Sequence, residues 1–336
     1  MPAHNPRARG VNGTIRLGLV LAAAVMVPHP ALAAGPAPVD LGSAAHFAIL
    51  GDSSVSSTGG GTIEGDLGLS PGSGSSITGI LTNQVHGVVY QVDATGPLGP
   101  YATVGPGLLS TSRVDSTAAY LDAEGRTVDR IVLSANENLG GQTLAPGLFW
   151  SPSALQIAGD LILDAGGDPN AVWIFQMHNS TLTTAEGAGH SRVILAGGAQ
   201  ARNVFWQVGS SATIKTFSVF KGTILALSDI TMDTSCVIEG RALAGRDITF
   251  NGTSISLPTP EAPRFTHISR TATDSATVVL STPPYFLVTL EACPDLLLTN
   301  WTTIVTDTPA ASPWTNTDYA ATAAVTQRFY RAFITP

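Results

Sequence analysis

Two stretches of this chain repeat one another. Residues 222–234 read GTILALSDITMDT and residues 240–252 read GRALAGRDITFNG, so Leu225-Ala226 superposes on Leu243-Ala244 and Asp229-Ile230-Thr231 on Asp247-Ile248-Thr249 at an offset of 18. A short fixed period with glycine at recurring points is the signature of a solenoid, whose coils bury their apolar sides only by stacking on their neighbours. Stepping back by 18 brings Trp206 under Ile224 and Thr213 under Thr231. Further back the period is irregular: an offset of 32 relates Thr181 to Thr213 and Thr184 to Thr216, and a gap is needed to match Phe175-Gln176 with Trp206-Gln207. Within a unit, Ile230-Thr231-Met232-Asp233-Thr234 alternates apolar and polar residues, the pattern of a strand with one face inward and one outward. Eighteen residues fit one turn of a three-sided coil. Stacking then predicts one outward column of Thr213, Thr231 and Thr249 and a second of Thr216 and Thr234, with Lys215, Asp233 and Asn251 between them. Neighbouring rows would lie about 4.7–4.9 Å apart.

The beginning of the chain reads as an export signal over residues 1–33. Arg7, Arg9 and Arg16 precede an apolar run at 17–27, and Ala31-Leu32-Ala33 supplies small residues for a cut after Ala33. No later stretch approaches the roughly 20 apolar residues that a transmembrane helix needs, so a soluble extracellular product is expected. Loss of those three arginines would leave 13 basic against 24 acidic residues, a balance of −11. That sign argues against nucleic acid as a partner. Charged residues make up only 12% of the chain, with Lys215 and Lys221 the sole lysines, against about 25% in an average domain. The two cysteines, Cys236 and Cys293, fall in different predicted domains and read as thiols, not as a bridge.

The composition changes at residues 257–263, LPTPEAP, where three prolines in seven residues mark a stiff linker. Glycine is absent from 264 onward. The expected organisation is therefore a solenoid over 34–258, a linker at 259–263 and a small β-sandwich-like module over 264–336, with strands near 276–280, 285–290, 301–305 and 329–334. One stretch breaks the β pattern. Residues 108–130 hold good helix formers and no interior Gly or Pro except Gly125. They predict a single long helix packed along the solenoid, capped near Ser110 to Ser112.

No catalytic constellation emerges. A β-helical glycan-cleaving enzyme needs paired carboxylates in a groove, whereas Asp160, Asp164 and Asp168 flank turn sequences. His46, His86, His178 and His190 are scattered singly, at no metal-ligand spacing. The GDLGL run at 65–69 is followed by no Gly-Lys-Ser/Thr, so it is no phosphate loop. Trp173, Phe175, Phe205 and Trp206 sit among Val and Ile and read as core. The chain is expected to be neither an enzyme nor a carrier of a cofactor or metal.

Five motifs, GDLGLSPG at 65–72, DPNAVWIFQ at 168–176, NVFWQVG at 203–209, GTILA at 222–226 and GRALA at 240–244, together resemble the widespread microbial ice-binding domain over about residues 39–257. That resemblance implies a discontinuous, right-handed β-solenoid of triangular section with a long helix alongside. It also implies adsorption to an ice crystal surface through one flat face, giving antifreeze activity or inhibiting recrystallisation, and the secreted chain is expected to be a monomer. Carried onto this sequence, the ice face would include Ser54, Ser56, Thr58, Thr181, Thr183, Thr184, Thr213, Thr216, Thr231, Thr234, Thr249 and Thr253. The rival reading is an adhesin or carbohydrate-binding surface protein on the same scaffold. The C-terminal module keeps it open, since its NWTT element at 300–303 resembles part of a small module appended to various secreted bacterial proteins, which could contact cell envelope or polysaccharide.

Overall fold

The computed structural model describes residues 35–186, 191–271, 275–282, 286–294, 300–309, 312–321 and 328–334. The expected export signal at 1–33, His190, and Tyr285 at the start of one expected strand lie outside the described residues.

The alternating segments form three-sided coils. In one coil Val204–Val208 makes the first side and Ala212–Ile214 the second, while Val219–Ala226 starts as the third side and runs on into the first side of the next coil. The corner inside that long strand falls at Gly222, whose φ is +109°. A Cβ at Gly240, one coil along, would lie 1.9 Å from the Gly222 carbonyl oxygen, so only glycine lets the two backbones approach there. The strands Val219–Ala226 and Val237–Ala244 pair in parallel without interruption, from Val219 opposite Val237 to Ala226 opposite Ala244. This is the offset of 18 read from the sequence. Earlier coils keep the third side as a separate strand, Arg192–Ala196, joined to the next first side through a longer connection with a 3-10 turn, Ala201–Asn203. There Phe175 lies opposite Trp206, as expected, but Thr183 and not Thr181 lies opposite Thr213. The offset of 32 is thus corrected to 30 on the second side, because the longer connections fall between the sides and shift them unequally.

The chain enters the stack in its middle. Phe47–Gly51 pairs on one edge with Asp66–Leu69 and on the other with Val237–Ala244, the last full coil. Successive early strands build outward to Ala102–Val104, and the later coils grow back from Arg130–Val132 at the opposite end, giving ten strands in line on the first side. Ten strands span about 43 Å. The connection between the two ends is the helix Pro106–Gly125, whose 20 residues cover about 30 Å, the short extended segments beside it making up the rest.

That helix begins and ends earlier than the sequence suggests. Gly105 is its N-cap and Pro106 its first residue, a position where proline's fixed φ and missing N–H cost nothing. Ser112 is no cap but is buried on the underside, donating to Ser43 Oγ at 3.1 Å. Leu109, Ala119, Tyr120 and Ala123 pack on Phe47, Ile174, Phe205, Leu225 and other apolar residues that point outward from the first side. At the helix end the buried Gln176 donates its Nε2 to the carbonyls of Ala123 at 2.6 Å and Arg126 at 2.8 Å, satisfying acceptors that a helix terminus leaves open.

Inside the coils, Phe149, Phe175 and Trp206 stack in sequence and Phe220 follows at a tilt, with ring centroids 5.1, 4.1 and 5.1 Å apart. The core assignment of the aromatics holds. From Arg264 onward pairing turns antiparallel, in two three-stranded sheets that enclose Val278, Leu280, Val288, Leu290 and Trp314. Strands Ser275–Ser281 and Phe329–Ile334 fall where expected, and Val288–Cys293 and Thr302–Asp307 begin later than expected. Arg264–Thr271 and Trp314–Asp318 are additional.

Replacing Gln176 with Leu leaves the helix-end carbonyls buried and unpaired, and is expected to lower stability by about 1–3 kcal/mol in urea denaturation followed by circular dichroism. An unchanged midpoint would show that the carboxamide does not anchor the helix.

Candidate functional site

The three sides of the solenoid differ in what they present. The first side is apolar and covered by the helix. The third side is crossed by ion pairs: Arg192 Nε donates to Asp160 Oδ1 at 2.7 Å, and Lys221 Nζ lies 2.8 Å from Glu239 Oε2. The second side is a separate parallel sheet of eight strands. In spatial order they are Ile77–Thr78, Ser54–Ser57, Asp247–Phe250, Ile230–Met232, Ala212–Ile214, Leu182–Thr184, Leu155–Ile157 and Glu137–Asn138.

Registers along this sheet run without a shift. They place Thr78, Ser56, Thr249, Thr231, Thr213, Thr183, Gln156 and Asn138 in one outward column. No member of the column is charged, and six of the eight carry a hydroxyl. Parallel pairing fixes the row spacing near 4.8 Å, so the column extends about 34 Å. Behind seven of the eight rows an apolar side chain faces the core: Ile77, Val55, Ile248, Ile230, Ala212, Leu182 and Leu155 are all buried, and Glu137 takes the matching place in the end row. The outward residues therefore stand on a packed backing that holds them in place.

The flanks of the column carry the charges. On one side Ser54 Oγ donates to Asp247 Oδ1 at 2.7 Å. On the other, Lys215 Nζ sits 3.1 Å from Glu186 Oε1 and 3.5 Å from Asp233 Oδ2, and Asn251 Nδ2 donates to Thr234 Oγ1 at 2.9 Å. The hydrogen bond to Glu186 raises the Lys215 pKa above its ordinary value. These flanking groups satisfy one another along the sheet, and Ser56 and Thr249 share a 3.2 Å hydrogen bond within the column itself.

No group of three or more His, Cys, Asp or Glu able to hold a metal occurs among the described residues. Cys236 is buried, donates from Sγ to the Lys215 carbonyl at 3.0 Å, and has its thiol pushed up to about 11 by burial. It is not poised as a nucleophile.

The profile of the family described as Ice-binding-like matches residues 49–256. The chain belongs to this family. An ice-binding protein of Colwellia sp is 35% identical over 231 residues, covering 68% of this chain and 88% of the relative. One from Nostoc sp. (strain HG1) is 39% identical over 205 residues, 61% of this chain and 68% of the relative. Among solved structures, an ice-binding protein from an Antarctic biological consortium shows 42% identity and a TM-score of 0.58, over 67% of this chain and 93% of its own. Another, from the Antarctic ascomycete Antarctomyces psychrotrophicus, shows 29% identity and a TM-score of 0.58, over 66% and 99%. The family match ends before Arg264, where the C-terminal sheets begin.

Within this ice-binding-like solenoid the twelve sequence candidates divide into three groups. Ser56, Thr183, Thr213, Thr231 and Thr249 stand in the central column, with Ser54 and Thr181 two residues before it and Thr58, whose N–H donates to the Phe250 carbonyl at 3.1 Å, two after it. Thr216 and Thr234 lie in the turns that follow, beside Phe217 and Ser235 with φ of +61° and +59°, so they border the sheet instead of forming a second column on it. Thr184 and Thr253 are corrections, since both point inward and are buried. Thr184 Oγ1 accepts from the Lys215 N–H at 2.6 Å and bonds Ser218 Oγ at 2.8 Å, while Thr253 Oγ1 donates to the Asp233 carbonyl at 3.2 Å. Thr78, Gln156 and Asn138 were missed. Thr78 and Gln156 obey the same alternation, in Ser76-Ile77-Thr78 and Leu155-Gln156-Ile157, but they lie in coils that do not share the 18-residue period.

Adjacent threonines in one strand thus have opposite roles. Thr184→Val leaves a buried N–H and hydroxyl unsatisfied and is expected to cost about 1–3 kcal/mol, whereas Thr183→Val should change stability by no more than about 0.5 kcal/mol. Paired chemical denaturation curves check this, and equal losses would contradict the inward and outward assignment.

Proposed function

We propose that the chain binds ice, and that it does so through the second-side sheet, with the column from Thr78 to Asn138 at its centre. The observation that carries this reading is an uncharged, hydroxyl-rich column in unbroken register over eight strands, on a side that the helix does not cover and whose ion pairs are confined to the flank. Threonine offers water two chemistries at once. Its hydroxyl anchors a water by a hydrogen bond, while its methyl excludes water and orders those around it. Repeated every 4.8 Å or so on a rigid backing, the two hold a water layer whose positions ice can share. Each contact is weak, so adsorption depends on many acting together without an ordering cost at the moment of binding. The binding is physical adsorption and needs no chemical turnover.

The test is ice-affinity partitioning with a recrystallisation assay. Thr231→Tyr, in the middle of the column, is expected to abolish enrichment in ice while leaving the melting temperature nearly unchanged. Ser254→Tyr on the third side should partition like the parent. If the first variant still enters ice, or the second is equally impaired, the second side is not the binding face.

We also propose that the protein works outside the cell, with residues 1–33 directing export, the solenoid of 34–258 carrying ice binding and the module from 264 joined to it by the proline-rich segment. The basic and apolar order of the first residues and the small residues at Ala31 and Ala33 support this. Protein recovered from the medium is expected to begin at Ala34 by N-terminal sequencing. Retention of Arg7, Arg9 and Arg16 in the secreted product would refute the proposed cut.

A further inference from the structure

A cavity of about 600 Å³ lies between the segment preceding Phe47, the strand Val204–Val208 and the proline-rich residues that follow the solenoid. Its volume falls within the usual range for small-molecule sites, about 300–1,000 Å³. Arg241 lines it and is 5% exposed. The guanidinium donates from Nε to the Ala45 carbonyl at 2.9 Å and from Nη1 toward Thr223 Oγ1 at 3.5 Å, both neutral acceptors. Desolvation brings its pKa down to about 10, and among the described residues no acid offsets that cost. A buried cation without an anion is expensive to keep, and this chain keeps one at a cavity wall. Arg202 lines the same cavity, and burial lowers its pKa too.

We propose that this cavity binds a small organic monocarboxylate, its head group on Arg241 with Arg202 as the second cation, and its apolar body against Phe205 and Phe286. A guanidinium and a carboxylate match in charge and planar geometry, and the pairing would neutralise the buried cation. The remaining charged groups of the wall select against more highly charged anions. Asp115 is engaged by the Ser43 N–H and hydroxyl at 2.8 and 2.6 Å, Asp40 accepts from the Gly42 N–H at 2.9 Å, and Glu261 pairs with Arg264 at 3.0 Å. These carboxylates, Glu261 beside Arg202 among them, offset much of the positive charge of the wall and so disfavour phosphate or sulfate dianions. The uncharged column of the second side plays no part here, so this site is independent of ice binding.

Saturation-transfer difference NMR on the full mature chain, with benzoate as probe and chloride at equal ionic strength as control, tests the proposal. Benzoate signals should saturate with concentration, acetate should compete, and phosphate should compete poorly. Arg241→Gln is expected to weaken benzoate binding about tenfold or more. Should that variant fail to fold, Pro260→Trp fills the cavity without touching the guanidinium and should likewise remove the signal. Binding that does not saturate, or that persists unchanged in the folded variants, overturns the assignment, as would phosphate outcompeting benzoate.

Discussion

Everything in the solenoid depends on parallel backbone pairing between one coil and the next. A single coil has too few residues to enclose a core, and its N–H and C=O groups on each side are satisfied only by the coils above and below it. Once that ladder forms, its spacing is fixed by hydrogen-bond length, and each side chain inherits a position set by the backbone. The inner row of Phe149, Phe175, Trp206 and Phe220 and the outer column of Thr183, Thr213, Thr231 and Thr249 are two consequences of one register. The second side keeps its register without a shift, whereas the first side tolerates one between Phe47 and Ile49.

The same ladder explains the odd route of the chain. Because Phe47–Gly51 has partners on both edges, the stack contains a seam at which the first coil meets the last, and the two open ends of the first side must be joined by something that crosses the whole length. A helix is suited to that connection, since it satisfies its own backbone groups and presents one apolar stripe to the sheet. Its position then decides which sides are free. Leu109, Tyr120 and Ala123 hide the apolar first side, leaving the other two sides to meet water, one with ion pairs and one with hydroxyls.

How much of this was legible in the sequence depends on how locally it is encoded. The 18-residue repeat at 222–252 is a run of matching residues, and the structure returns it as a continuous ladder from Val219 to Ala244. Earlier coils are equally regular in their pairing but not in their length, because the connections between sides are longer there, as at the turn Ala201–Asn203 that follows the third-side strand Arg192–Ala196. Residues such as Thr78 and Gln156 could not be placed in the column by counting. The errors at Thr184 and Thr253 have a different cause. In a strand, neighbours point to opposite faces, so in Thr183-Thr184 only one threonine can be outward, and composition does not say which. Leu182 on the core side decides it. The helix was legible in kind and not in extent, since Pro106 reads as a breaker until it is seen to occupy a first-turn position.

The scarcity of charge in this chain acquires a meaning only in three dimensions. An ion exposed on the central column would hold water in a shell oriented on itself, at odds with the regular layer proposed over the neighbouring threonines. Placed two residues away, Lys215 and Asp233 are close enough to disturb that layer unless their own fields are satisfied. The contacts of Lys215 to Glu186 and Asp233, and of Ser54 to Asp247, do this along the flanks, and exposed ion pairs of this kind contribute little to stability. Their effect is better understood as quieting the border of the column. On the third side, where Arg192 meets Asp160 and Lys221 meets Glu239, the pairs stand on the outward rows themselves, and no comparable uncharged column can form. The second side is thus distinguished less by having threonines than by where the chain has put its few charges.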